Sequence, residues 1–195
     1  ASDLLDPHMG GEGVKPYQPT GLWKALSHPA SNTKNYKPDT GRMVYRRSLY
    51  VYWKRTSPHP MMTLFDAPNR ETSCVKRSRT NTPLQSLGLF NEKQRVEIAR
   101  MFAERLLKER NSDEQRLDLM FNLLVCREPN DQERSACNRL LNAMRKRYVN
   151  ADQDAKDLLN TGEVPRDKSL NPTEHAAWTQ VAATVLASDL ALMLF

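Results

Sequence analysis

The densest chemistry in this sequence lies between Arg42 and Arg79. Arg42, Arg46, Arg47, Lys54, Arg55, Arg70, Lys76, Arg77 and Arg79 stand there against only Asp66 and Glu71, a local net charge of +7. A guanidinium is a planar fork that pairs bidentately with carboxylate, sulfate or phosphate. Arg46, Arg47, Arg55, Arg70, Arg77 and Arg79 are therefore the candidates for holding an anion or an anionic partner. The same residues also suit a second role, tying irregular backbone together by donating to its carbonyls. Aromatic residues interleave with this charge from Tyr45 to Arg55, and Tyr50, Tyr52 and Trp53 offer faces on which a base or a sugar ring can stack. Read structurally, the same run is a core element flanked by basic side chains whose stems lie along it. Asp66 and Glu71, five residues apart in a proline-containing loop, form the one carboxylate pair that suggests general acid–base work. Arginines so close would lower both pKa values, which suits an ion pair or an anion clamp better than a proton donor.

Other chemistries find less support. His8, His28, His59 and His175 show no i, i+3 or i, i+4 pairing, so they read as surface or capping residues and no metal site is expected. Cys74, Cys126 and Cys137 are odd in number and lack a C-x-x-C or C-x-x-C-H spacing, which argues against a disulfide framework, a cysteine zinc site and haem attachment on this chain. Gly10-Gly11-Glu12-Gly13 lacks the lysine of a phosphate loop and reads as a turn. No cofactor is expected on the chain itself.

The elements that position these residues follow from where proline, glycine and charge fall. Residues 1–82 hold 8 of the 12 prolines and 5 of the 7 glycines, so they must be turn-rich, whereas residues 83–195 can be helical. Charge divides likewise: the chain's +6 is an average over +8 in residues 1–100 and −2 beyond. With 39% hydrophobic and 27% charged residues and a mean hydropathy of −0.69, the 195-residue chain is polar but able to fold as a single domain.

Helix signals run through the second part. Thr82-Pro83 opens a short helix; Asn91 with Gln94 caps the next, buried through Val96, Ala99, Phe102, Ala103 and Leu106. Ser112 with Gln115 starts a third, with Leu117, Met120, Phe121, Leu124 and Val125 inward, ended by Pro129. Asn130 with Glu133 starts a fourth, inward through Cys137, Leu140, Leu141, Met144 and Tyr148. A helical stretch over 151–160 and a last helix from Asn171-Pro172 complete a bundle. The run from Ala176 to Phe195 is long enough to span a bilayer but carries Gln180, Ser188 and Asp189, and its apolar period describes one buried face, so no transmembrane span is expected. In the first part a turn is expected at Pro38-Asp39-Thr40-Gly41 and a strand over Tyr45–Trp53. The expected fold is mainly α: a helical bundle over 83–195, wrapped by an irregular basic part, residues 1–82, with short β-strands.

Several phrases in order, among them Val14-Lys15-Pro16-Tyr17-Gln18-Pro19, Tyr45-Arg46-Arg47-Ser48-Leu49-Tyr50, Trp53-Lys54-Arg55-Thr56-Ser57-Pro58, Phe65-Asp66-Ala67-Pro68-Asn69-Arg70-Glu71 and Arg79-Thr80-Asn81-Thr82-Pro83-Leu84-Gln85-Ser86-Leu87, resemble a known family. They are similar to the C-terminal domain of unknown function of large planctomycete surface or exported proteins, in which a cytochrome-c-like domain often lies upstream. The resemblance extends over essentially the whole chain, departing at Gly11-Glu12-Gly13 and at Phe195, where the last helical phrase stops early. It implies a fragment of a larger protein, export to the periplasm or cell surface, upstream domains of the same protein as partners with haem on one of them, and a redox or polysaccharide-related setting. No catalytic role comes with it. The expected function is a noncatalytic binding or assembly domain that docks an upstream redox domain or an anionic polysaccharide. The alternatives are part of a glycan-active hydrolase or oxidoreductase completed by upstream domains, with Asp66 and Glu71 as its candidates, and, third, nucleic-acid binding.

Overall fold

A computed structural model describes residues 1–192. The chain divides into two compact units, one spanning Leu5–Gly88 and the other formed by Ala1–Leu4 together with the chain from Leu89 onward. Among the described residues the structure is mainly helical, with nine α-helices.

The helical unit is built where capping and periodicity agree. The helix α3 (Pro83–Asn91) carries the chain out of the first unit, and α4 (Lys93–Glu109) follows after one residue. That residue, Glu92, is the cap: its carboxylate accepts from the Arg95 N–H at 2.8 Å. The expected Asn91–Gln94 cap is thus displaced by one position, because Asn91 still belongs to α3. Ser112 caps α5 (Asp113–Val125) through the Gln115 N–H at 3.3 Å. This helix ends at Cys126, whose left-handed φ of 57° turns the chain before Pro129 can do so. Asn130 and Glu133 form a reciprocal capping box for α6 (Asp131–Asn150), and Asn171 caps α8 (Pro172–Leu186) through the Glu174 N–H, with α7 (Asp152–Leu159) between them. The last described helix is α9 (Asp189–Leu192). The helical phrase expected to stop at Phe195 lies outside the described residues.

The core of this unit gathers Phe102, Leu106, Leu117, Met120, Phe121, Leu141, Leu159 and Trp178, with α8 packed most extensively on α4 and α6. Alanines 99, 103, 176, 177 and 182, fully buried, let the helices approach closely. Arg145 joins three helices: it forks onto Asp113 at the start of α5, at 2.8 and 3.0 Å, and onto Glu174 at the start of α8. Both acids also sit in first turns, where the helix dipole favours negative charge. No helix among the described residues is long and apolar enough to cross a membrane.

The first unit is organised differently. Its buried apolar side chains are few, Val14, Pro16, Trp23, Val44 and Tyr45, against five buried polar ones: Gln18, Arg46, Ser57, His59 and Gln85. With so little aliphatic core, aromatic packing and hydrogen bonds carry the load. Trp23 of α1 (Leu22–Leu26) packs edge-on against Tyr36 at 4.7 Å and against Tyr52 at 5.6 Å. Lys54 lies over the Trp23 ring at 4.6 Å and donates to Ser27 Oγ and the Thr33 carbonyl. Gly88 of α3 packs against Leu64 of α2 (Pro60–Leu64), where a Cβ would collide with the leucine's Cδ2.

The strand expected over Tyr45–Trp53 does not form. Two 3-10 turns, Gly41–Tyr45 and Ser48–Tyr50, take its place, and only single-residue parallel bridges remain, Asp6 with Arg46 and Val14 with Val51. The segment that would have to pair with it contains Gly10, Gly11 and Gly13, the first two at positive φ, and so cannot extend into a ladder. The turn expected at Pro38–Gly41 is likewise replaced by extended backbone that enters the first 3-10 turn at Gly41.

Candidate functional site

The strongest concentration of exposed charge is a loop with pinned ends. Asp66 Oδ2 accepts from the Thr80 N–H at 2.8 Å and from the Thr80 hydroxyl at 2.7 Å, closing the stretch 66–80 on itself. Gln85 secures the closure by donating to the Leu64 carbonyl and to Thr80 Oγ1, both at 2.9 Å. Arg77 reaches back to the carbonyls of Asp66, at 2.9 Å, and Phe65. Every residue from Pro68 to Leu84 is exposed, Val75 completely so. Compact loops of this length with joined ends are frequent sites of function.

The candidate arginines take distinct roles within the first unit. Arg46, buried, donates to the carbonyls of Glu12 at 2.9 Å, of His8 at 3.3 Å and of Gly10, while its guanidinium lies 3.9 Å from the centre of the Tyr50 ring. It is a structural tie that shapes the glycine turn. Arg77 ties the loop closed. Arg55 forks onto Glu71, Nε to Oε1 and Nη2 to Oε2 at 2.6 Å each, and remains 80% exposed. Arg70 lies over Trp53 at 4.9 Å. The side chains of Arg47 and Arg79, with those of Arg42 and Lys76, are exposed and have no hydrogen-bond or ion-pair partner among the described residues.

The distinction between carbonyl and carboxylate partners matters. A carbonyl satisfies a guanidinium's N–H groups without cancelling its charge, so Arg46 and Arg77 still contribute to the field around them. Of the nine basic residues, only Arg55 is neutralised by a carboxylate fork. The unit Leu5–Gly88 carries 13 basic and 5 acidic side chains, net +8. That field attracts polyanions over roughly the 10 Å Debye length at 0.1 M salt.

The two acidic candidates do not form a proton-transfer pair in this arrangement. Asp66 is occupied by Thr80; the threonine hydroxyl first, then its N–H, hold the carboxyl below the usual carboxylate range, with the Arg77 charge adding to the effect. Glu71 is held by Arg55 and, through its own N–H, by Asn69 at 3.0 Å. Among the aromatic candidates, Tyr50 is structural, its hydroxyl accepting from the Gly10 N–H at 2.9 Å. Tyr52 packs toward Trp23 with Lys15 over its ring, and Trp53 is half-buried beneath Arg70.

One polar cluster escapes sequence reasoning altogether. On α4, Glu97, Arg100 and Glu104 are buried on the face turned to the loop 162–167. Glu97 Oε1 accepts from the N–H groups of Glu163 and Val164 at 2.8 Å each; Arg100 donates to the Val164 carbonyl at 2.5 Å and sits 3.6 Å from the Glu97 carboxylate. Glu104 takes the Asp167 N–H at 3.1 Å, and Lys108 bridges Glu104 and Asp167 at 2.8 Å each. Gly162, at φ +112°, lies directly on Glu97, leaving no room for a Cβ. The cluster clasps a loop to a helix.

His175 belongs to this cluster and corrects the expectation of a surface or capping residue, whereas His59 stands at the N-cap position of α2 with its side chain buried instead of capping. His175 is fully buried, its Nε2 3.0 Å from the Arg100 carbonyl and its Nδ1 without a partner; buried His59 faces the Tyr17 carbonyl at 2.9 Å. Burial, foremost, pushes the His175 imidazole below the ordinary value of about 6.5, against the pull of the Arg100 carbonyl and Glu104. The unfolded chain therefore takes up a proton that the folded one refuses, so stability is full above pH 6.5 and falls as the pH drops below it. Melting temperatures recorded from pH 7.5 to 5 should decline, at no more than about 1.4 kcal/mol per pH unit for this group, and His175→Gln should flatten that part of the curve. Cys137 is buried, while Cys74 and Cys126 are exposed. No three His, Cys, Asp or Glu side chains gather as a metal site would need among the described residues.

A mainly helical chain whose turn-rich basic unit is held by hydrogen bonds rather than by an aliphatic core is the class these observations define. Residues 1–141 match the family described as PSD1, protein of unknown function (DUF1553), and the chain belongs to that family. The match ends inside α6, so α7 and α8 lie beyond it, a narrower span than the phrases quoted above suggested. No curated protein and no solved structure matches the chain.

Proposed function

We propose that this chain is a noncatalytic polyanion-binding module, with the loop 66–80 and the exposed arginines around it as the contact surface. The observation that carries the reading is the uncompensated charge of the first unit: nine basic residues within 42–79, one carboxylate fork, and the side chains of Arg42, Arg47, Lys76 and Arg79 facing solvent without hydrogen-bond or ion-pair partners among the described residues. The pinned loop presents Lys76 and Arg79 at little ordering cost, which favours binding. The resemblance to exported planctomycete proteins with an upstream cytochrome-c-like domain supports an extracytoplasmic setting, where the polyanion is an acidic polysaccharide. Against the enzyme reading stands the engagement of Asp66 by Thr80 and of Glu71 by Arg55.

Chromatography on an immobilised polyanion such as heparin tests the proposal. Retention should be strong at low salt and fall steeply between about 0.05 and 0.5 M, as screening of exposed charge requires. Elution in the void volume at low salt would remove it.

A further inference from the structure

We infer that Glu71 is a removable internal cover, its carboxylate seated on the Arg55 fork beside Trp53 where the carboxylate of a uronate saccharide binds. This rests on the polyanion-binding reading and narrows it to a ligand class.

Four observations converge on that seat. The Arg55–Glu71 contact is side-on, with two N–H donors on two oxygens at 2.6 Å each, a geometry that matches a planar carboxylate. It lies at the surface, Arg55 80% and Glu71 38% exposed, so a second carboxylate can approach and exchange with the first. Two residues before Arg55, Trp53 meets Arg70, the residue before Glu71, so the ring under Arg70 and the fork join the same two stretches of chain. Finally, the turn that delivers Arg70 and Glu71 is held in an unusual conformation, with Arg70 at φ 62° and Asn69 Oδ1 accepting from the Glu71 N–H. A non-glycine residue in the left-handed region is strained, and such strain concentrates at ligand sites.

The neighbouring ring decides between sources of the carboxylate. A pyranose ring bearing its carboxylate rigidly can lay one face on Trp53 once Arg70 swings from it, while its acid group takes the fork. An acidic peptide carries its carboxylate on a flexible stem and brings no flat ring. Arg70, released, remains beside the same anion.

The full chain should be titrated with alginate oligosaccharide and, separately, with poly-L-glutamate of matched charge, at one low salt concentration. Wild type is compared with Glu71→Gln, Glu71→Ala and Glu12→Gln, the last removing the same charge from an exposed residue of the same unit whose side chain takes no part in the fork. A fork closed nine-tenths of the time masks affinity about tenfold, so both Glu71 variants should bind alginate roughly tenfold tighter than wild type, and Glu12→Gln should change little. Adding Arg55→Gln to Glu71→Gln should abolish the gain. Glu71 variants no tighter than Glu12→Gln, with wild type still binding, overturn the cover while leaving the polyanion reading intact. An equal gain for poly-L-glutamate overturns the saccharide. Wild type that binds neither polymer overturns both readings together.

Discussion

Replacing Glu97 with alanine should unfold the helical unit at a temperature about 10–20 °C below wild type, the largest stability effect of any single substitution argued here. The carboxylate is 1% exposed, accepts two backbone N–H groups of the loop at Glu163 and Val164, and faces the fully buried Arg100 at 3.6 Å. Its removal leaves two part-buried amide donors without their acceptor and takes away the carboxylate that faces a buried guanidinium. Breaking a buried pair from one side costs about 3–5 kcal/mol. Glu97→Gln, which keeps an acceptor but not the charge, should fall between alanine and wild type. Gly162→Ala attacks the same contact from the loop, because at φ +112° its Cβ would enter the Glu97 carboxylate. The two substitutions should therefore be non-additive in combination. Thermal denaturation followed by circular dichroism settles the point; a Glu97→Ala melt within 2 °C or so of wild type would show that the clasp contributes nothing.

The second large effect is on binding. The side chains of Arg47, Lys76 and Arg79 make no hydrogen bond or ion pair among the described residues, so Arg47→Ser, Lys76→Ser and Arg79→Ser together should leave the melting curve unchanged. Affinity for heparin at low salt should nevertheless drop about tenfold or more, because each exposed cation near a polyanion contributes separately. Arg46→Ser is the informative contrast. Arg46 ties the carbonyls of His8, Gly10 and Glu12, and its loss should lower stability before it lowers affinity. Equal heparin affinity for the triple variant and wild type would place the contact surface elsewhere.

The caps of α5 and α6 were readable in the sequence because each is a bond between residues three apart, Ser112 with Gln115 and Asn130 with Glu133, and the start of α8 was readable from Asn171-Pro172, with proline in the first turn. The apolar faces of α4, α5 and α6 were readable because a helix imposes its period locally. The strand over Tyr45–Trp53 was misread because β-structure depends on a partner, and the only available partner is a glycine turn. The clasp was missed for a different reason. Glu97, Arg100 and Glu104 recur at helical spacing, a pattern that describes a solvated face when taken alone, and the loop that buries them lies more than sixty positions away. The candidate site was legible as charge but not as geometry. Nothing in the residue types separates Arg46, whose partners are backbone carbonyls far along the chain, from Arg47 beside it, which points into solvent. Likewise Thr80, whose N–H and hydroxyl both bond the Asp66 carboxylate, carries no signal of that role.

Amide hydrogen exchange of the full chain, with and without heparin at low salt, locates the polyanion contact on the chain. Added polyanion should slow exchange across residues 69–79, whose amides lie in an exposed loop, and leave the core helices α4, α6 and α8 unchanged. Protection confined to those helices, or no change anywhere at saturating heparin, would contradict this placement.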